Sequence, residues 1–219
     1  MKKKIAVFLA GSGNQDGSEI TEATSLIISL AEFQAEVDFF APNSNFTPLD
    51  FITHKPMGNE TRNLMLEAAR ITRGKINSLE DFTDSGFDAL ILPGGMGAAL
   101  YLSNWASLEQ NCQVHPKLES ALLNFHKSSR PIGAICIAPA IVARVLGKHD
   151  LTVTCGDDLK TAQAVQKTGA RVERCPAYDF ISDRLNKVVS APAYMCENTN
   201  AFEVYTGIRN LTKEIIEMA

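Results

Sequence analysis

Hydrophobic and polar positions alternate between two periods along this chain. KIAVFLA (4–10) is an apolar run too short for a helix core and suited to a buried strand. GSGNQDGS (11–18) breaks it with three glycines. EITEATSLIISLAEF (19–33) then places Ile20, Ala23, Thr24, Ile27, Leu30 and Ala31 on one helical stripe, with Ser18 as the expected cap. AEVDFFAP (35–42) is a second strand closed by Pro42. Strand, loop, helix and strand within some forty residues predict a βαβ unit of a parallel sheet.

The alternation continues to the end of the chain. Residues 43–59 are irregular, with room for short strands, and 61–71 carry a helical pattern ended near Gly74. FDALILPGG (87–95) is a buried strand running into a glycine turn. A helix follows Pro116, PIGAIC (131–136) is the next strand, and APAIVARVL (138–146) is a helix stopped by Gly147. LTVTC (151–155), the helix in 157–169, an extended piece at 171–175, a strand within 183–194 and a helix within 198–219 complete the pattern. No linker, repeat or low-complexity tract interrupts it. The expectation is one α/β domain over 1–219, a three-layer flavodoxin-like sandwich with a mostly parallel sheet and an elaboration around 43–83.

Composition narrows the function classes. The formal charge of -4, without a basic arm, gives no support to a nucleic-acid or anionic-membrane partner. Five cysteines without a CxxC pair suggest neither a disulfide framework nor a cysteine zinc site, and the four histidines show no metal spacing. The expectation is therefore a protein without metal or cofactor. The lysines before IAVFLA imitate a signal peptide, but six apolar residues are short for its core. The chain is expected to be cytoplasmic.

Candidate chemistry gathers where the strands end, since open parallel sheets bind ligands at their C-terminal edge. Cys136 lies between PIGAI and the next helix, where backbone N–H groups and the helix start favour a thiolate. A buried core cysteine fits the same local pattern, and Cys155 has a similar setting. PGGMG (93–97) makes a sharp turn whose amides, at Gly95 or Met96, can form an oxyanion hole with that of Ile137. Glu19 and Glu22 share one face of the first helical turn, so one can enter the site while the other pairs or faces solvent. A carboxyl group near a thiol can shuttle protons when burial raises its pKa. Gly11, Gly13 and Gly17 fit neither a dinucleotide loop nor a P-loop. No histidine has an evident place as base, although His54 lies in a loop able to fold over the site.

These stretches carry a resemblance. AGSGNQDGSEITEA (10–23), THKPMGNETRNLMLEAARITRG (53–74), FDALILPGGMGAALYLSNWA (87–106), IGAICIAPA (132–140) and NKVVSAPAYM (186–195) resemble the ElbB-like family. That family is a branch of the PfpI-type superfamily, which shares its fold with class I glutamine amidotransferases. The resemblance implies that Cys136 is the elbow nucleophile, Glu22 the carboxyl group against it, and Gly95 and Ile137 the oxyanion amides. It implies a glutathione-independent glyoxalase converting glyoxal to glycolate, a lyase-class activity on a small aldehyde or dicarbonyl, and a homodimer. His54, Arg62 and Asn63 match the family's second segment and are expected to shape the pocket with Gly11 and Ser12. Departures limit other chemistries. Ile137 stands where relatives often carry histidine, Cys155 and Gly156 occupy another histidine region, and no histidine follows His149. Ser12 replaces a cysteine that the family usually carries in its first loop. Glutamine hydrolysis and peptidase chemistry are not expected. The alternative to a glyoxalase is a redox or stress sensor using the same cysteine.

Overall fold

The computed structural model describes residues 2–219. The first unit follows the sequence pattern closely. Lys4–Phe8 (β1) is buried after its first residue, Ile20–Glu32 (α1) crosses back, and Glu36–Ala41 (β2) pairs with β1 in parallel. The buried stripe of α1 is turned from the one the apolar residues suggest. Glu22, Ala23, Ser25, Leu26, Ser29 and Leu30 face inward, while Ile20 is exposed. Ser29 Oγ donates to the Ser25 carbonyl at 2.7 Å, which satisfies that hydroxyl within the helix. Two small residues on that face let α1 lie against the C-terminal helix, and Glu22 is carried inward with them.

Between 42 and 64 the chain makes two small ribbons. Asn45–Phe46 (β3) pairs with Arg62–Asn63 (β6), and Leu49–Asp50 (β4) pairs with Lys55–Pro56 (β5), both antiparallel. Leu64–Ile71 (α2) starts later than the expected 61, because Asn63 is its N-cap and accepts the Leu66 N–H. Asn77–Ser78 (β7) pairs with the end of β2 and forms a sheet edge that the hydrophobic pattern did not announce.

Ala89–Leu92 (β8) leads through the glycine turn to two short helices, Met96–Leu100 (α3) and Trp105–Leu108 (α4). Pro116–Lys127 (α5), Ile132–Ile135 (β9) and Ala138–Leu146 (α6) follow. Thr152–Val153 (β10) leaves the main sheet and pairs with Arg171–Val172 (β11), on either side of Leu159–Gln166 (α7). Ile181–Asp183 (β12), Val188–Ala191 (β13) and Ala201–Met218 (α8) end the chain. The capping box of α8 is complete: Asn200 accepts the Glu203 N–H, and Glu203 accepts the Asn200 N–H.

The central sheet runs β12-β13-β9-β8-β1-β2-β7, parallel throughout except for the β12–β13 pair. Its inner strands are buried at nearly every residue, as a sheet covered on both faces requires. Leu92 pairs with Ala134 and Ile135 with Ala191. The chain segments that leave β8, β9 and β13 therefore open side by side, next to the one that leaves β1.

Candidate active site

Cys136 is the first residue beyond β9. Its N–H still donates to the Ala191 carbonyl at 2.8 Å, but its φ is +62°, in the left-handed region that non-glycine residues seldom occupy. The strand thus turns sharply into α6, with Ile137 as N-cap and Pro139 in the first turn, where its missing N–H costs nothing. A strained elbow of this kind holds the side chain out at the sheet edge. Cys136 is 8% exposed and sits on the wall of a cavity of about 490 Å³.

Glu22 reaches the same point from α1 and is 0% exposed. Its Oε2 accepts the Gly94 N–H at 2.9 Å, while its Oε1 has no hydrogen-bond partner. The Cys136 thiol and the Tyr194 N–H also face the carboxyl group and favour its ionised form, but burial and the nearby Glu19 outweigh them. Burial first, then the Glu19 charge, raises the Glu22 pKa from 4.5 to about 8. Glu19, not Ser18, caps α1. Its Oε2 accepts the Glu22 N–H at 2.7 Å, whereas the Ser18 hydroxyl accepts the Ala10 N–H at 2.9 Å. The two carboxyl groups divide as the spacing allows, one buried against the thiol and one capping at the cavity wall.

The glycine turn explains how close these groups lie. A Cβ on Gly94 would fall 2.4 Å from the Cys136 Cβ and 2.7 Å from Glu22 Oε2. Gly95 has φ of +90°, and a Cβ there would meet the Glu19 nitrogen and the Gly17 carbonyl, each at 2.4 Å. Only a residue without a side chain lets the turn after β8 pass between the thiol and the glycine-rich loop. The N–H groups of Gly95 and Ile137 face the Cys136 sulfur and favour its thiolate. Burial and the Glu22 charge act the other way and prevail, so the thiol pKa is pushed well above its usual value. The thiolate expected from the helix start alone is thus corrected: two amides do not offset burial beside a carboxyl group.

The remaining expected residues scatter. Met96 lines the cavity with its side chain, but its N–H donates to the Asn14 carbonyl at 2.8 Å and is not free to receive an oxyanion. Gly11, Ser12, His54, Arg62 and Asn63 do not line the cavity. Gly11 packs near Gly17 and Leu64, and its N–H donates to the Leu64 carbonyl. His54 lies at the surface, bonded through Nδ1 to Gln15 Oε1 at 2.9 Å. Arg62 pairs with Glu60 and Glu67, and Asn63 is spent on capping α2. The ribbons around them lie over the outer side of the glycine-rich loop, where Asp16 accepts the Leu49 N–H at 2.7 Å. His126 and His149 lie against each other with ring centroids 4.5 Å apart and planes tilted by 44°, and His115 caps α5; none of the three joins the cavity wall.

Sequence reasoning missed most of the wall. Trp105, Ala106, Glu109, Asp158, Lys160, Thr161, Ala164, Tyr194 and Met195 line it with Asn14, Ala99 and the residues above. They come from α3, α4, α7 and the turn after β13, the last of which carries the resemblance segment NKVVSAPAYM. Their signal was weak because short helices leave little periodicity. Among the described residues, no group of three or more His, Cys, Asp or Glu side chains is arranged to hold a metal, and no helix is long and apolar enough to cross a membrane.

An α/β sandwich around a mostly parallel sheet, with a cysteine at the sharp turn from strand to helix, is the architecture of the amidotransferase-like class. The chain belongs to the DJ-1/PfpI family, whose pattern matches residues 3–191, and within it to the ElbB-like, amidotransferase-like branch. It is 36% identical over 99% of its length to the rat ES1 protein homolog, mitochondrial, covering 84% of that protein. It is also 36% identical to the human glutamine amidotransferase-like class 1 domain-containing protein 3, mitochondrial, with 98% of this chain and 83% of that one aligned. Among solved structures, an isoprenoid biosynthesis protein with amidotransferase-like domain from Ehrlichia chaffeensis superposes with a TM-score of 0.90 at 33% identity, over 99% of each chain. The names of the rat and human relatives overturn the cytoplasmic expectation, since both are mitochondrial proteins. A short apolar run and reduced cysteines say nothing about which compartment a protein occupies.

Proposed function

We propose that the protein is a cofactor-independent glyoxalase that converts glyoxal to glycolate on Cys136. The observation that carries this reading is Glu22: a buried carboxyl group beside the thiol with one oxygen left unbonded. A buried acceptor without a partner costs stability, and buried carboxyl groups perturbed in this way cluster at functional sites.

The active form holds one proton between Cys136 and Glu22. Ionised Glu22 takes the thiol proton as sulfur adds to one aldehyde carbon. The developing oxyanion meets the Gly95 and Ile137 N–H groups, and Glu22 passes it the proton, giving a hemithioacetal. Glu22 then removes the hydrogen from the sulfur-bearing carbon. The hydroxyl proton on that carbon shifts to the neighbouring oxygen, and Glu22 returns its own proton to the second carbon. A hydroxyacetyl thioester results, and water cleaves it to glycolate and free thiol. No electrons leave or enter. A peroxide sensor is the weaker reading, because oxidation follows thiolate character and exposure, and Cys136 has little of either. The homodimer carried over from the resemblance belongs to this proposal, and light scattering tests it.

The experiment follows glycolate release from glyoxal by the wild type, Cys136→Ala and Glu22→Gln proteins. Intact mass during turnover should show a hydroxyacetyl adduct on the wild type alone. Glycolate formation that persists in both variants would sink the proposal.

A further inference from the structure

The cavity is far larger than the chemistry proposed for it requires. Glyoxal is a two-carbon molecule, and about 490 Å³ lies in the range of pockets that enclose drug-sized ligands. The surplus space has a definite character. Met96, Ala99, Trp105, Ile137, Ala164 and Met195 form its walls, and Trp105 is only 4% exposed. The charged groups at its rim are already engaged. Glu19 caps α1, Asp158 accepts the Thr161 N–H at 2.9 Å to cap α7, and Glu109 pairs with Lys160 at 3.0 Å. What a ligand beyond the thiol meets is therefore mainly apolar side chain, with the Trp105 indole and the Tyr194 ring among aliphatic and thioether groups.

We infer that the substrates best fitted to this site are 2-oxoaldehydes bearing an apolar, ring-sized substituent, and that Trp105 selects them. This rests on the proposed glyoxalase reading and deepens it. The aldehyde carbon meets Cys136 as before, and the adjacent ketone takes the place of glyoxal's second aldehyde. Glu22 carries the hydrogen from the first carbon to the ketone carbon, so R–CO–CHO and water give R–CH(OH)–COOH without an oxidant. The substituent lies along Trp105, where offset or edge contact between rings adds to simple burial. Small walls at Ala99 and Ala164 leave it room. A pocket of this kind separates substrates differing by a buried apolar group by about 10- to 100-fold.

The test compares phenylglyoxal with glyoxal at low concentration, following mandelate and glycolate, with Cys136→Ala as background. Wild type should favour phenylglyoxal in kcat/KM by about 10-fold or more. Trp105→Ala should reduce that ratio at least tenfold, and Trp105→Phe should keep most of it. Ala164→Leu, which fills the cavity from α7, repeats the test should Trp105→Ala fail to fold. A second measurement reads the pocket without turnover: mandelamide, a neutral analogue of the product, should slow iodoacetamide labelling of Cys136 in wild type but not in Ala164→Leu. Equal kcat/KM for the two aldehydes, or a preference untouched by Trp105→Ala and Ala164→Leu, would overturn this inference and leave the glyoxalase reading standing. Absence of any dicarbonyl turnover, with protection by mandelamide that Ala164→Leu abolishes, would sink the glyoxalase reading and retain the aryl pocket. No protection and no turnover would remove both.

Discussion

Replacing Glu22 by glutamine removes a titration from the interior and leaves the shape nearly unchanged. The wild-type carboxyl group has its pKa raised from 4.5 in the open chain to about 8 in the fold. Below pH 4.5 it is protonated in both states, and its contribution is then most favourable. As the pH rises through the interval, the unfolded chain releases the proton while the folded one keeps it. Each pH unit costs about 1.36 kcal/mol, and above about 8 both states are ionised and the loss is complete. Three and a half units correspond to about 5 kcal/mol, an upper bound because Cys136 and Glu22 titrate as a pair. Glutamine has no such dependence, so all other titrating groups cancel when the two proteins are compared. At roughly 2–4 °C per kcal/mol for a chain of this size, the gap between the melting temperatures of Glu22→Gln and wild type should widen between pH 4.5 and 8.5, by at most about 10–20 °C. Thermal melts at half-unit steps, with urea titrations at the two extremes, measure it. A gap constant across that range would refute a carboxyl group kept neutral by burial, and with it the proton relay.

The same titration should appear in the rate. For glyoxal, kcat/KM should rise with pH through about 8 as Glu22 becomes ionised, and the rise should be missing from the residual activity of Glu22→Gln. Gly94→Ala should lose about 3 kcal/mol or more of stability in urea titrations, because its Cβ would sit 2.4 Å from the Cys136 Cβ between elements fixed by the sheet. A loss under about 1 kcal/mol would mean that the turn can move. Asn200→Ala should cost about 1 kcal/mol through the capping box of α8 and leave glycolate formation unaltered.

The sheet was legible because both of its faces are covered. Strands buried on two sides read as continuous apolar runs, and β1, β8 and β9 fall inside the runs KIAVFLA, FDALIL and PIGAIC. Cys136, Gly95 and Ile137 could be singled out because their positions follow from strand ends, whereas spacing left Glu19 and Glu22 equivalent and only the family resemblance chose Glu22. What failed depended on partners distant in sequence. The apolar stripe of α1 was misdirected, since the helix is turned by its fit to α8 and two buried serines rather than by its most hydrophobic residues. Edge strand β7 has only two residues, and α4 only four, too few for any period to show. The thiolate expectation failed for a related reason: the helix start is local, but Glu22 reaches Cys136 from more than a hundred residues away. His54, Arg62 and Asn63 matched family positions, yet they serve the ribbons and the cap of α2.

The groups proposed to react hang from the central strands and α1, whose geometry the whole sheet enforces. Most of the rest of the cavity wall comes from α3, α4, α7 and the turn after β13, outside the strands of the sheet. Under the proposed reading, chemistry and selectivity thus rest on different elements. Substitutions at Ala99, Trp105 or Ala164 can retune which molecules enter while the thiol, the acid and the amides stay in register. On that reading a protein engineer can keep one reaction and move among substrates with a handful of changes to the walls.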